Sequence, residues 1–176
     1  MRRWMAYTVA ALCLLFCAGC GTQLADAPLP LDELPNNYSL AQAKKDGCVV
    51  FEDGRMVSGQ GMWDSFVEAS SHGKAAEVRL CRYESRENGI YFHDLSYDGE
   101  AYTVRAYENG RDLVETYPYM MYYAGRAEAS NAQYSSYVRY VMTQDNGVTW
   151  EEIEDGRVSS QPEKDIAHHV VYEEFR

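Results

Sequence analysis

Val78-Arg79-Leu80-Cys81, Ile90-Tyr91-Phe92-His93-Asp94-Leu95 and Tyr102-Thr103-Val104-Arg105-Ala106 are three runs that carry apolar residues at strand spacing, the change of period starting at Ala76. A period near two is the repeat of an extended chain with one buried face. Asn88-Gly89 and Asp98-Gly99 separate the runs, and both dipeptides accept the positive φ of a tight hairpin turn. Three strands joined by such turns predict an antiparallel meander, and the flanking elements are read outward from it.

On the N-terminal side, Met62, Trp63, Phe66 and Val67 recur at helical spacing between Gly61 and Gly73, which predicts the main amphipathic helix. Cys48 to Glu52 is a short strand stopped by Asp53-Gly54. Before it, Ser39 and Gln42 have the spacing of a reciprocal helix cap, with Gly47 as the stop of one or two helical turns. On the C-terminal side, Tyr117 to Glu128 and Tyr134 to Thr143 are strand-like around a polar turn at Ala129 to Asn131. Thr149-Trp150-Glu151-Glu152 has the capping-box pattern and predicts a helix from Trp150 to about Ser159. Ile166, His168, Val170 and Tyr172 alternate in a closing strand. The expected fold is α+β: a mainly antiparallel sheet with one main amphipathic helix and one or two short helices packed on one face. Its expected core is Val49, Phe51, Trp63, Phe66, Val67, Val78, Leu80, Phe92, Leu95 and Val104.

The N-terminus is an address. Arg2 and Arg3 precede an uncharged apolar run, Trp4 to Ala18, followed by small residues, which is the order of a secretory signal over residues 1–19. The run is marginal for crossing a hydrocarbon core that needs about 20 residues. Its end, Phe16-Cys17-Ala18-Gly19-Cys20, resembles the lipobox of bacterial lipoproteins. That resemblance implies that Cys20 becomes the mature N-terminus and carries a diacylglyceryl thioether with palmitate-type chains. Two or three chains at ~0.8 kcal/mol per buried methylene hold a protein stably on a membrane. Residues 20–37 then read as a tether, with Pro28, Pro30 and Pro35 withholding backbone donors, and residues 38–176 as one domain.

Of 176 residues, 16 are Lys or Arg and 27 are Asp or Glu. Removal of residues 1–19 takes Arg2 and Arg3 and no acid, leaving 14 basic and 27 acidic residues, a balance of -13. A chain of that sign is unsuited to nucleic acid, whose counterions are displaced by Lys and Arg. After processing, Cys48 and Cys81 remain as an even pair outside the cytoplasm, a count that permits one disulfide or two unpaired thiols. Without a Cys-x-x-Cys spacing or a nearby His, they supply no zinc site.

The stretch from Tyr38 to Asp112 resembles a family of small uncharacterised bacterial lipoproteins, catalogued as a domain of unknown function. The matching residues are Ala41 to Gly47, Val49-Val50, Gly54 to Val57, Trp63 and Phe66, Asp94 to Gly99 and Arg111-Asp112. The resemblance implies the location and the fold, and it brings no catalytic residue with it.

No catalytic constellation emerges from the spacing. His168 and His169 are adjacent, so on a strand they point to opposite faces. His72 follows Ser71 without the Gly-x-Ser-x-Gly elbow of a nucleophile. Asp94, Asp98, Glu151, Glu152, Glu154 and Asp155 lack the spacing of a calcium loop and read as turn and helix-terminus residues on a solvated acidic face. The sequence therefore indicates no metal and no cofactor.

Tyrosine is the unusual component, with 15 residues, seven of them between Tyr117 and Tyr140. Alternation places Tyr117, Tyr119 and Tyr123 on one face and Tyr122 on the other. High β-propensity accounts for such rings on a half-buried sheet without any ligand. Amphipathic rings with few rotamers also suit sugar or protein contact, and Tyr119, Tyr122, Tyr123 and Tyr137 are the ligand-contact candidates. The reading is a lipid-anchored, extracytoplasmic bacterial protein, a non-catalytic recognition or structural module of the envelope. Its partners would be the membrane, through the anchor, and cell-wall glycan or another envelope protein. The alternative is a small extracytoplasmic hydrolase acting on envelope material.

Overall fold

The structure, a computed structural model, describes residues 29–35, 37–86, 89–108, 110–126, 134–159, 161 and 165–176. The expected signal, Cys20, the first part of the tether and the turn at Ala129 to Asn131 lie outside the described residues.

Two sheets face each other, where the sequence reading expects one. In the larger sheet the strands β1 (Val49–Glu52), β2 (Arg55–Ser58), β3 (Ala76–Glu84), β4 (Gly89–Tyr97), β5 (Tyr102–Glu108) and β6 (Arg111–Tyr117) lie in the order β2-β1-β3-β4-β5-β6. The smaller sheet has the order β7-β8-β9, built from β7 (Tyr119–Arg126), β8 (Ser136–Thr143) and β9 (His168–Phe175). The chain changes sheets at Pro118, between β6 and β7. Proline has no N–H to donate, so it suits a residue that leaves one ladder before joining another. Pairing is antiparallel except between β1 and β3, which run parallel.

The expected meander is β3, β4 and β5, with Val78 opposite Leu95 and Leu95 opposite Val104. Two strands were not legible in the pattern. Strand β2 returns from Asp53-Gly54, both at positive φ (48° and 77°), a two-residue connection that lets Glu52 pair with Arg55. Strand β6 is an edge strand exposed along nearly its whole length, so it shows no buried period.

The three α-helices among the described residues pack in three different places, not on the one shared face expected. Helix α1 (Leu40–Lys45) covers the outer face of the larger sheet, where Ala43, Cys48, Val50 and Cys81 form a cluster with Tyr38 and Phe92. Helix α2 (Gln60–Ser71) closes the space between the sheets: Trp63 and Phe66 pack with Val49, Val78 and Leu95 of one and Val138, Met142 and Tyr172 of the other. Helix α3 (Trp150–Val158) covers the outer face of the smaller sheet through Ile153, against Val141 and Val148. Complete burial of side chains as large as Trp63 and Phe66 stabilises by roughly 1.5–3 kcal/mol each.

The caps follow the sequence with one exception. Thr149 and Glu152 form a full capping box on α3. Ser39 Oγ accepts from the Gln42 amide at 3.2 Å, but the Gln42 side chain donates to Asp46 Oδ1 at 2.6 Å instead of reaching back. Of the expected core, Val67 and Phe92 are partly buried and the other eight are buried.

The last residues of the stretch expected as a tether, 20–37, lie against the domain. Leu31–Glu33 form a single 3₁₀ turn and Leu31 is buried. Leu31, Leu34 and Pro35 line a groove of about 390 Å³ with Tyr38, Phe92 and Tyr107 on the outer face of the larger sheet. Among the described residues, burial therefore begins at Leu31, ahead of Tyr38. No helix among the described residues is long and apolar enough to cross a membrane.

Candidate functional site

The tyrosines expected to act together are divided between surfaces. Tyr117 belongs to β6 and is buried, donating to Glu115 Oε2 at 3.1 Å, so it does not share a face with Tyr119 and Tyr123. Tyr119 is partly exposed opposite Thr143. Tyr123 faces α3, donates to the Val148 carbonyl at 2.8 Å and lies 6.1 Å from the Trp150 ring. Tyr137 lies across Gly125, where a Cβ would come within 2.5 Å of its hydroxyl. Its ring supports the Arg139 guanidinium at 4.0 Å, with Trp150 at 4.1 Å and Phe175 at 5.6 Å. Arg139 also pairs with Glu173. This cage is filled by the protein's own cation.

Tyr122 differs from the others. It is 56% exposed, on the face of β7 turned toward the core, and it stands opposite Tyr140 with ring centroids 5.1 Å apart. Behind it, Tyr140 stacks on Tyr172 at 5.8 Å and 26° and meets Trp63 edge-on at 5.0 Å and 84°. An exposed ring backed by a packed series of rings is fixed before any ligand arrives. Little rotamer entropy remains to be lost on contact. Burial, then the neighbouring Tyr122, raise the pKa of the Tyr140 hydroxyl.

A second group forms where the sheets meet, and spacing in the sequence could not reveal it. The β-bulge at Val171 decides its geometry: Tyr140 pairs with Tyr172 and Val141 with Val170, so Val171 is the extra residue. The expected alternation slips there, and His169 and Tyr172 share the face turned toward the larger sheet. The Val171 carbonyl accepts from the Arg82 guanidinium, which lies over Phe51 at 5.7 Å. His169 Nδ1 is 3.0 Å from Glu115 Oε2, the atom that also accepts from Tyr117. His93 of β4 faces His169, and its Nδ1 is buried with no hydrogen-bond partner.

The electrostatics follow from this crowding. Burial first, then Arg82 and His169, lower His93 to about pKa 4, against smaller opposing effects of Asp94 and Glu115. Burial also lowers His169, outweighing the Glu115 hydrogen bond that favours its charged form. Burial raises Tyr117 to about pKa 12, with Glu115 adding to it. The group thus sets two imidazoles whose charged forms burial disfavours beside the Arg82 guanidinium, whose own pKa burial lowers. Among the described residues no carboxylate pairs directly with Arg82.

The remaining sequence candidates have structural duties. Cys48 and Cys81 are free, buried thiols and not a bridge. Val50 pairs with Cys81, which sets Cys48 on the diagonal, about 8 Å away from the strand spacings, beyond the ~7 Å limit of a disulfide. Burial, then Cys48 nearby, push Cys81 up to about pKa 12. His72 Nδ1 and Ser71 Oγ both bond the Glu68 carbonyl, at 2.7 and 2.8 Å, and so finish α2. Asp98 accepts from the Glu100 and Ala101 amides in its turn. Asp94 is held bidentately by Arg79 at 2.5 and 2.7 Å. No group of three or more His, Cys, Asp or Glu residues suited to a metal occurs among the described residues.

No family model, no curated protein and no solved structure matches this chain.

Proposed function

We propose that this chain is a lipid-anchored, extracytoplasmic protein of the bacterial envelope, and that its domain is a non-catalytic recognition module for cell-wall glycan. The address rests on Arg2-Arg3, the apolar run to Ala18 and the Ala18-Gly19-Cys20 ending. The observation that carries the recognition reading is Tyr122, an exposed ring supported from behind by Tyr140, Tyr172 and Trp63. A fixed aromatic face stacks on the apolar face of a sugar, and its hydroxyl serves the polar rim. Another envelope protein is the second partner class that the same surface fits.

Retention of the soluble domain, from Gln23 onward, on isolated cell wall and on envelope extract tests this. Tyr122→Ala is expected to lower retention about tenfold, one aromatic contact of about 1.4 kcal/mol, whereas Tyr119→Ala, Tyr123→Ala and Tyr137→Ala, on the opposite face of the smaller sheet, should leave it nearly unchanged. Undiminished retention of Tyr122→Ala overturns the aromatic platform. The hydrolase reading gains one specific observation, the His169–Glu115 pair beside His93. Turnover of a wall fragment that is abolished by His93→Ala or His169→Ala would replace the binding module with an enzyme.

A further inference from the structure

We infer that the domain sits with its groove of Leu31, Leu34, Pro35, Tyr38, Phe92 and Tyr107 turned toward the bilayer that holds its own lipid, and with α3 turned away. The inference rests on the anchored reading of Cys20. Leu31 is the first buried residue among the described ones and is seated on the outer face of the larger sheet. Only residues 21–30 separate it from Cys20. Eleven steps of chain span at most about 38 Å, even fully extended.

The layering of the molecule gives that length its meaning. From the groove inward come the larger sheet, the shared core, the smaller sheet and α3. Sheets pack about 10 Å apart and the covering layers stand at a similar distance, so α3 lies about 30 Å deeper than the groove. Bringing α3 to the bilayer would require nearly all of the available chain to run straight along the flank of the domain. Every shorter path leaves the groove side nearer the lipid. Tyr107, half-exposed at the groove, and Leu29, half-exposed just ahead of Leu31, then lie on the membrane side. Tyrosine suits that position, since its ring is apolar and its hydroxyl wet. The smaller sheet, with Tyr122, stands on the side open to the wall.

The test uses the full lipidated chain in vesicles of phosphatidylcholine and phosphatidylglycerol containing a headgroup nitroxide lipid. Environment-sensitive fluorophores are placed at Tyr107→Cys and Arg105→Cys on the groove side, and at Val158→Cys and Glu154→Cys on α3. All four positions are exposed, whereas Cys48 and Cys81 are buried. Quenching at 107 and 105 at least about twofold stronger than at 158 and 154 is expected from a separation of about 30 Å. Two positions on each side keep the comparison intact if one variant fails to fold. Equal or reversed quenching in protein that floats with the vesicles overturns the orientation and leaves the anchor standing. Failure of the unsubstituted chain to float, matching Cys20→Ser, overturns the anchor and the orientation together.

Discussion

His93 of β4 and His169 of β9 face each other across the gap between the two sheets, with ring centroids 5.9 Å apart and planes inclined at 62°. Each comes from a different sheet, so their contact exists only when the sheets are packed. Arg82 lies beside them and binds the Val171 carbonyl of the opposite sheet. Proton uptake by this group therefore acts on the joint between the sheets.

Stability should depend on pH through His93. His93 has a folded pKa of about 4 against an ordinary 6.5, so the unfolded chain binds the proton more readily. Its contribution is fully present above pH 6.5 and is lost as pH falls toward 4, on the order of 3 kcal/mol. Melting temperature followed between pH 7 and 4 should drop steeply for the parent protein and less for His93→Gln. Parallel profiles would show that His93 is not the group responsible.

Gly59 precedes α2 at φ +88°, and a Cβ there would lie 2.7 Å from both the Cys48 carbonyl oxygen and the Val49 Cα. Both obstacles are backbone, so neither can move aside cheaply. Gly59→Ala should cost at least ~2 kcal/mol, while Gly61→Ala, in open space on the same helix, should gain up to ~1 kcal/mol. Urea titration of the two variants separates the outcomes.

Trp63 is 1% exposed and touches Phe66, Tyr140 and Tyr172. Trp63→Ala is expected to cost ~3–5 kcal/mol, because packing from both sheets leaves the cavity little freedom to collapse. It should also loosen the support of Tyr122. Glycan retention measured on any folded fraction would then fall together with the melting temperature.

Arg139 occupies the cage of Tyr137, Trp150 and Phe175 as a flat cation and pairs with Glu173. Lysine keeps the charge but not the plane that stacks on two rings. Arg139→Lys should destabilise by ~1–2 kcal/mol, measured by chemical denaturation, and leave Tyr122-dependent retention unchanged.

The two thiols give a redox prediction. Cys48 and Cys81 are buried, and burial raises the pKa of both. Alkylation at mild alkaline pH should modify neither until the protein unfolds, and reductant should leave the melting temperature unchanged. A reductant-dependent melting temperature would instead report a bridge in solution.

What the sequence determined by itself was local. The alternation from Ala76 to Ala106 specified β3, β4 and β5 because strand periodicity is written in consecutive residues. Trp63 and Phe66 specified the buried stripe of α2, and Thr149 with Glu152 specified the start of α3, for the same reason. Strand β6 escaped because an exposed edge carries no buried period, and β2 because its four residues show only a weak one. The packing of two sheets decided everything that lies between them. Tyr122 became a supported platform only when Tyr140 and Tyr172 were stacked behind it, and His93 met His169 only across the gap. A single extra residue at Val171 set which side chains of β9 faced inward. Such contacts join residues far apart in the chain, and no spacing encodes them, because they arise from burying the apolar faces of two sheets against each other.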